Sequence, residues 1–172
     1  MHKKQKIKKF LTACIATIYS LTSLISITPV HAESYSGYFE KSGYNVYHNF
    51  SIEDRFSGIP TPPGMMDISN FSINGMKAYC VEPSVQFSWN PLYAQEKIPG
   101  RSGFYKIGYS DAQIDRMAYI SSLGYGFNGD NSIEMMAATQ LLIWQVRYPS
   151  GFSQIPSAVQ AKVNVINDRL NT

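Results

Sequence analysis

The sequence predicts an α+β domain: a β-rich, sandwich-like first part with a helical subdomain packed alongside. Three observations predict it. Residues 44–52 alternate apolar and polar side chains. An Asn-Gly dipeptide sits between two apolar runs at 71–81. From Ser110 onward the apolar residues recur at helical spacing.

In YNVYHNFSI, Tyr44, Val46, His48, Phe50 and Ile52 fall on one side of a period-two pattern, the signature of a strand face. SGIPTPPGMMD (57–67) reads as a loop, because three prolines and two glycines break regular structure. In FSINGMKAYCV, Asn74-Gly75 suits the two positive-φ positions of a type I′ hairpin turn. That turn pairs Ile73 with Met76, Phe71 with Ala78 and Ser69 with Cys80. It puts Phe71, Ile73, Met76, Ala78 and Cys80 on the apolar face, with Lys77 and Tyr79 opposite. Pro83 stops the ladder.

Residues 84–109 form a long irregular stretch whose Trp89, Tyr93, Phe104 and Tyr105 are expected to pack. Ser110 and Gln113 have capping-box spacing ahead of Ile114, Met117, Ala118 and Leu123, and Gly124 ends that helix. Asn131 and Glu134 form a second cap-like pair. Behind them Ile133, Met136, Ala137, Gln140, Leu141, Trp144 and Tyr148 make a stripe, and Pro149 stops the helix. Pro156 opens a last helix with Val159, Val163, Ile166 and Leu170 on one face. Gln140 is the odd member of its stripe. A buried amide is costly without partners. It therefore hydrogen-bonds main chain in the core or takes part in something covalent.

The first 32 residues read as a signal peptide. Five lysines and no acid open the chain, an uncharged apolar run follows, and Val30-His31-Ala32 suits cleavage after Ala32. Removal of this leader takes 5 of the 15 Lys+Arg and none of the 12 Asp+Glu. The remaining 10 basic and 12 acidic residues give residues 33–172 a net charge of −2. The basicity is therefore a targeting feature and no argument for nucleic acid. With no second apolar span, the mature form has no predicted membrane segment. Its 140 residues suit one domain. The chain ends on NDRLNT in a helix-like pattern, which reads as a truncated copy.

The mature part keeps one cysteine, Cys80, and one histidine, His48. No disulfide forms within it, and no metal site of the usual Cys/His kind is expected. A leftover cysteine in an exported chain has three readings. It is core packing. It is the nucleophile of a hydrolase with His48 as base. Or it is the thiol of an internal thioester, which needs a glutamine and apolar cover but no cofactor. Glu82 either adjusts the thiol's ionisation or is a surface carboxylate. Tyr79 and Trp144 have core readings of their own.

Two motifs carry a resemblance. YCVEP at 79–83, followed about sixty residues later by TQLLIW at 139–144, resembles the thioester (T-Q-x-A) domain of Gram-positive surface adhesins. Tyr79, Cys80, Val81 and Glu82 match the aromatic-Cys-apolar-acidic signature. Thr139, Gln140, Ile143 and Trp144 match the helix motif, with Leu142 in place of Ala. The resemblance covers roughly residues 70–150. It implies a β-rich domain with a helical subdomain. It implies a non-enzymatic adhesin that captures a host or matrix protein covalently, its Cys80 thioester reacting with a lysine amine. Tyr79, Glu82, Thr139 and Trp144 would line the binding pocket, with no cofactor. It also implies a bonded glutamine in a later strand, beyond Thr172. Gln140 would then be a pocket residue, although it is the leading thioester candidate within the chain. The implied location is secreted, on the cell wall. The alternative is a non-covalent surface-binding module with Cys80 as packing.

Overall fold

The computed structural model describes residues 37–53, 58–73, 76–85 and 100–172. All belong to Tyr35–Thr172, the second of the two parts into which the chain divides. The leader read at 1–32, the Asn74-Gly75 turn, Trp89 and Tyr93 lie outside the described residues.

The described residues form an α+β domain. Strands β1 (Gly37–His48), β2 (Gly64–Ile73), β3 (Met76–Ala78) and β4 (Phe152–Ser153) make one antiparallel sheet in the order β3-β2-β1-β4. Helices α1 (Ser102–Lys106), α2 (Asp111–Leu123), α3 (Ile133–Arg147) and α4 (Ser157–Leu170) supply the other layer. Helix α3 packs on β1 and β2 and is flanked by α2 and α4.

Strand β1 pairs with β2 through Val46↔Met66 and, nearer its start, Phe39↔Phe71. The register shifts between Lys41 and Asn45. Gly43 takes φ +80° inside this bulge, and the Ser42 hydroxyl accepts the Tyr44 N–H at 3.0 Å. Tyr44, Val46 and His48 turn toward the helices as the alternation predicts, but the strand ends at His48. Phe50 lies past that end and stacks on Tyr148.

The hairpin register is as read for its first two pairs: Ile73↔Met76 and Phe71↔Ala78. The face is not. Among the described residues the buried apolar side chains of the sheet are Val46 and Ile68, whereas Ile73 is 41% and Met76 68% exposed. Met66 and Ile68 therefore mark the core side of β2, and Phe71 belongs to the opposite parity. Lys77 accordingly reaches over the Tyr125 ring of the helical layer. Asp67, expected in a loop, is already in β2, because the proline-rich turn ends at Pro63 and residues from Gly64 onward pair with β1.

Helix α2 carries the full capping box. Ser110 Oγ accepts the Gln113 N–H, and Gln113 Oε1 accepts the Ser110 N–H at 2.9 Å. Its buried residues are Ile114, Met117 and Ile120, and Ala118 faces solvent instead. Helix α3 is capped by Ser132 accepting the Met135 N–H, one residue later than read, because Asp130 takes the Ser132 N–H. Met135 through Trp144 are all buried, so the stripe is a full circumference: two helices and the sheet surround α3. Val159, Val163 and Ile166 bury one face of α4. Helix α1 occupies part of the stretch read as irregular.

Candidate functional site around Cys80

The β2–β3 ladder ends at Ala78, so Cys80 finds no partner in Ser69. Its buried main chain still requires hydrogen bonds. Gln140, wholly buried, supplies both. Gln140 Oε1 accepts the Cys80 N–H at 2.9 Å, and Gln140 Nε2 donates to the Cys80 carbonyl at 2.7 Å. The amide thus stands in for a neighbouring strand. This is the first of the two roles that its place in an apolar stripe allows.

The next residues are held as firmly. The Tyr109 hydroxyl donates to the Val81 carbonyl. Glu82 Oε1 accepts from the Ser84 hydroxyl at 2.6 Å and from the Tyr148 hydroxyl at 3.4 Å. Glu82 Oε2 lies 3.2 Å from the Arg147 guanidinium, which also covers the Tyr109 ring. Positions 140, 144 and 148 are one turn apart on one face of α3. Gln140 meets Cys80 and Tyr148 meets Glu82, so Trp144 sits between them along the same segment.

Cys80 is a half-buried free thiol whose Sγ–H points to the Glu82 carbonyl at 3.6 Å. Burial pushes its pKa up. The Glu82 carbonyl contact and the Trp144 indole pull it down, and the Glu82 carboxylate pushes it up again. The net shift is upward, so at neutral pH the group is a thiol. The Trp144 indole N–H is buried and has no hydrogen-bond partner among the described residues. It lies near enough to the sulfur to favour a thiolate, but outside hydrogen-bond geometry.

Thr139 serves the scaffold. Its hydroxyl donates to Met135 O at 2.7 Å and accepts the Tyr125 N–H at 2.9 Å. Gly124 is pressed against it: a Cβ there would lie 2.2 Å from Thr139 Oγ1. Tyr79 packs against the core, and burial pushes its phenol up to about 12, with Tyr125 adding to the shift and the Thr139 hydroxyl opposing it.

The structure therefore brings Cys80, Gln140, Glu82 and Trp144 together. It places Tyr79 and Thr139 behind them as support. His48 is buried elsewhere in its bonding: its Nδ1 lies 2.7 Å from Phe50 O, and its ring packs on Phe50. A carbonyl only accepts, so Nδ1 carries the proton. Sequence reasoning missed Tyr109 and Arg147. Arg147 lies three residues beyond Trp144, close to the matched motif, and its charge near the end of a helix was the available signal. Among the described residues no group of three His, Cys, Asp or Glu is arranged to hold a metal ion. No helix among them is long and apolar enough to cross a membrane.

Compared with known proteins, the chain matches no family model, no curated protein and no solved structure.

Proposed function

We propose that residues 33–172 form an exported cell-surface domain of the thioester-adhesin type. Cys80 is its acyl-carrying thiol, and its partner is a host or matrix protein bearing a lysine amine. One observation carries this reading. The two motifs, 60 residues apart in sequence, meet at one cysteine, whose main chain bonds Gln140. An unpartnered cysteine in a chain read as exported is thereby held in a fixed pose against aromatic cover.

The chemistry needs no cofactor. Sγ attacks the carboxamide carbon of a glutamine. The C–N bond breaks, a C–S bond forms, and ammonia leaves with the thiol proton. A lysine amine on the partner then attacks the same carbon. The C–S bond breaks, an amide forms and the thiol is regenerated. Both ends of the Gln140 carboxamide are bonded to the Cys80 main chain. In this reading Gln140 is the clamp, and a different glutamine donates the acyl group.

The burial that raises the thiol's pKa favours a second reading, a non-covalent surface module with Cys80 as packing. Incubation of the exported protein with a biotinylated primary amine separates the two. Denaturant-resistant label in the wild type that is lost in Cys80→Ala supports the covalent reading. An unlabelled wild type supports the packing reading.

A further inference from the structure

Trp144 is 3% exposed, and its indole N–H has no hydrogen-bond partner among the described residues. A donor left in that state is costly, and native folds rarely tolerate it without a use. Its ring is held by aromatic neighbours. The ring stacks on Phe152 at 5.7 Å and 18°, and Phe152 in turn meets Phe50 edge-on at 5.4 Å. Along α3, Trp144 stands one turn after Gln140, which grips Cys80, and one turn before Tyr148, which reaches Glu82. The indole N–H also favours the Cys80 thiolate, which puts it on the sulfur's side of the ring.

The free thiol offers this donor only sulfur, a weak acceptor. An acylated Cys80 carries a carbonyl oxygen beside that sulfur. We propose that the Trp144 indole N–H is the donor that holds and polarises the acyl oxygen on Cys80. The inference rests on the thioester reading above and assigns the group that activates the acyl carbon. When an amine attacks, the C=O π electrons move onto that oxygen. A fixed N–H meets the developing charge without reorganising. As the C–S bond breaks, the electrons return and the sulfur leaves to be protonated. The acyl oxygen would thereby give the buried N–H the acceptor that the free thiol does not.

Two measurements on the exported protein test this. The first is the rate at which methylamine releases the acyl group, followed by intact mass, in wild type and Trp144→Phe. Phenylalanine keeps an aromatic ring against Phe152 and removes the N–H. The expected release is about 100-fold slower. The second is the indole proton resonance of Trp144 in the wild type, assigned with Trp89→Phe. It is expected to move upfield when methylamine discharges Cys80, and it needs no folded Trp144 variant. Equal release rates, or an indole proton that stays put on discharge, overturn the role of Trp144 and leave the thioester reading standing. A wild type that carries no methylamine-sensitive acyl group overturns both.

Discussion

The carboxamide of Gln140 is bonded to both main-chain polar groups of Cys80, accepting its N–H at 2.9 Å and donating to its carbonyl at 2.7 Å. A helix side chain thus completes a strand that its own ladder abandons after Ala78. Leucine at position 140 has the size for the site but neither polar end. Each unpaired buried group costs about 1–3 kcal/mol. Gln140→Leu is therefore expected to lower unfolding free energy by about 2–6 kcal/mol, read as a shift in urea midpoint. Gln160→Ala, on a half-buried helix position bonded only to Asn164, is the control and should move it little.

Gly124 owes its identity to Thr139. A methyl group at position 124 would meet Thr139 Oγ1 at 2.2 Å and Cγ2 at 2.6 Å. Overpacking of this kind costs about 1–3 kcal/mol. Gly124→Ala should destabilise by that amount. Thr139→Ala removes both clashing atoms, so the double variant should be more stable than the sum of the two single losses allows. Thermal melts of the four proteins make the comparison.

Asp130 ties the start of α3 to α4. Its carboxylate accepts from the Ser132 hydroxyl at 2.7 Å and the Ser132 N–H at 3.1 Å, and pairs with the Lys162 ammonium at 2.9 Å. The Ser132 hydroxyl first, and then Lys162, hold its pKa at about 2, against 3.8 without them. A depressed carboxyl stabilises the fold above the unfolded value. That contribution is lost as pH falls from 3.8 toward about 2. Asp130→Asn should flatten the dependence of Tm on pH across that window and leave the slope above it unchanged.

Glu82 places a carboxylate near the thiol and thereby raises its pKa. Glu82→Gln keeps the main-chain carbonyl that accepts the Sγ–H and removes the charge. The thiolate fraction at fixed pH should rise. Alkylation of the protein by iodoacetamide at pH 8 should be faster in Glu82→Gln than in wild type. An unchanged rate would show that the carboxylate does not reach the sulfur.

Much of this architecture is legible in the sequence. Ser110 and Gln113 announce the α2 cap because a capping box is local. The pairs Ile73↔Met76 and Phe71↔Ala78 follow from the Asn-Gly spacing for the same reason. Which face of the hairpin meets the helices is not local. It is decided by Val46 and Ile68, which fill the interface with α3, and so Met76 is exposed despite its apolar side chain. At the site, Gln140 is conspicuous as a polar residue in an apolar stripe. Tyr109 and Arg147 act on Val81 and Glu82 from positions 28 and 65 residues along the chain; Arg147 is marked only by its charge at a helix end, and no short-range pattern marks Tyr109. The unpartnered Trp144 N–H is likewise a property of packing: the sequence places an indole in the core but does not say what its nitrogen meets.

Cys80 is proposed to carry an acyl group. The most direct test is the intact mass of the protein as exported, before and after methylamine, for wild type and Cys80→Ala. The wild-type mass is expected to be short by one ammonia and to rise by one methylamine on treatment, with no change in Cys80→Ala. Peptide mapping then names the glutamine and should show it to be other than Gln140. A full calculated mass that methylamine leaves unchanged, with a thiol open to alkylation, would contradict the claim and leave Cys80 as packing.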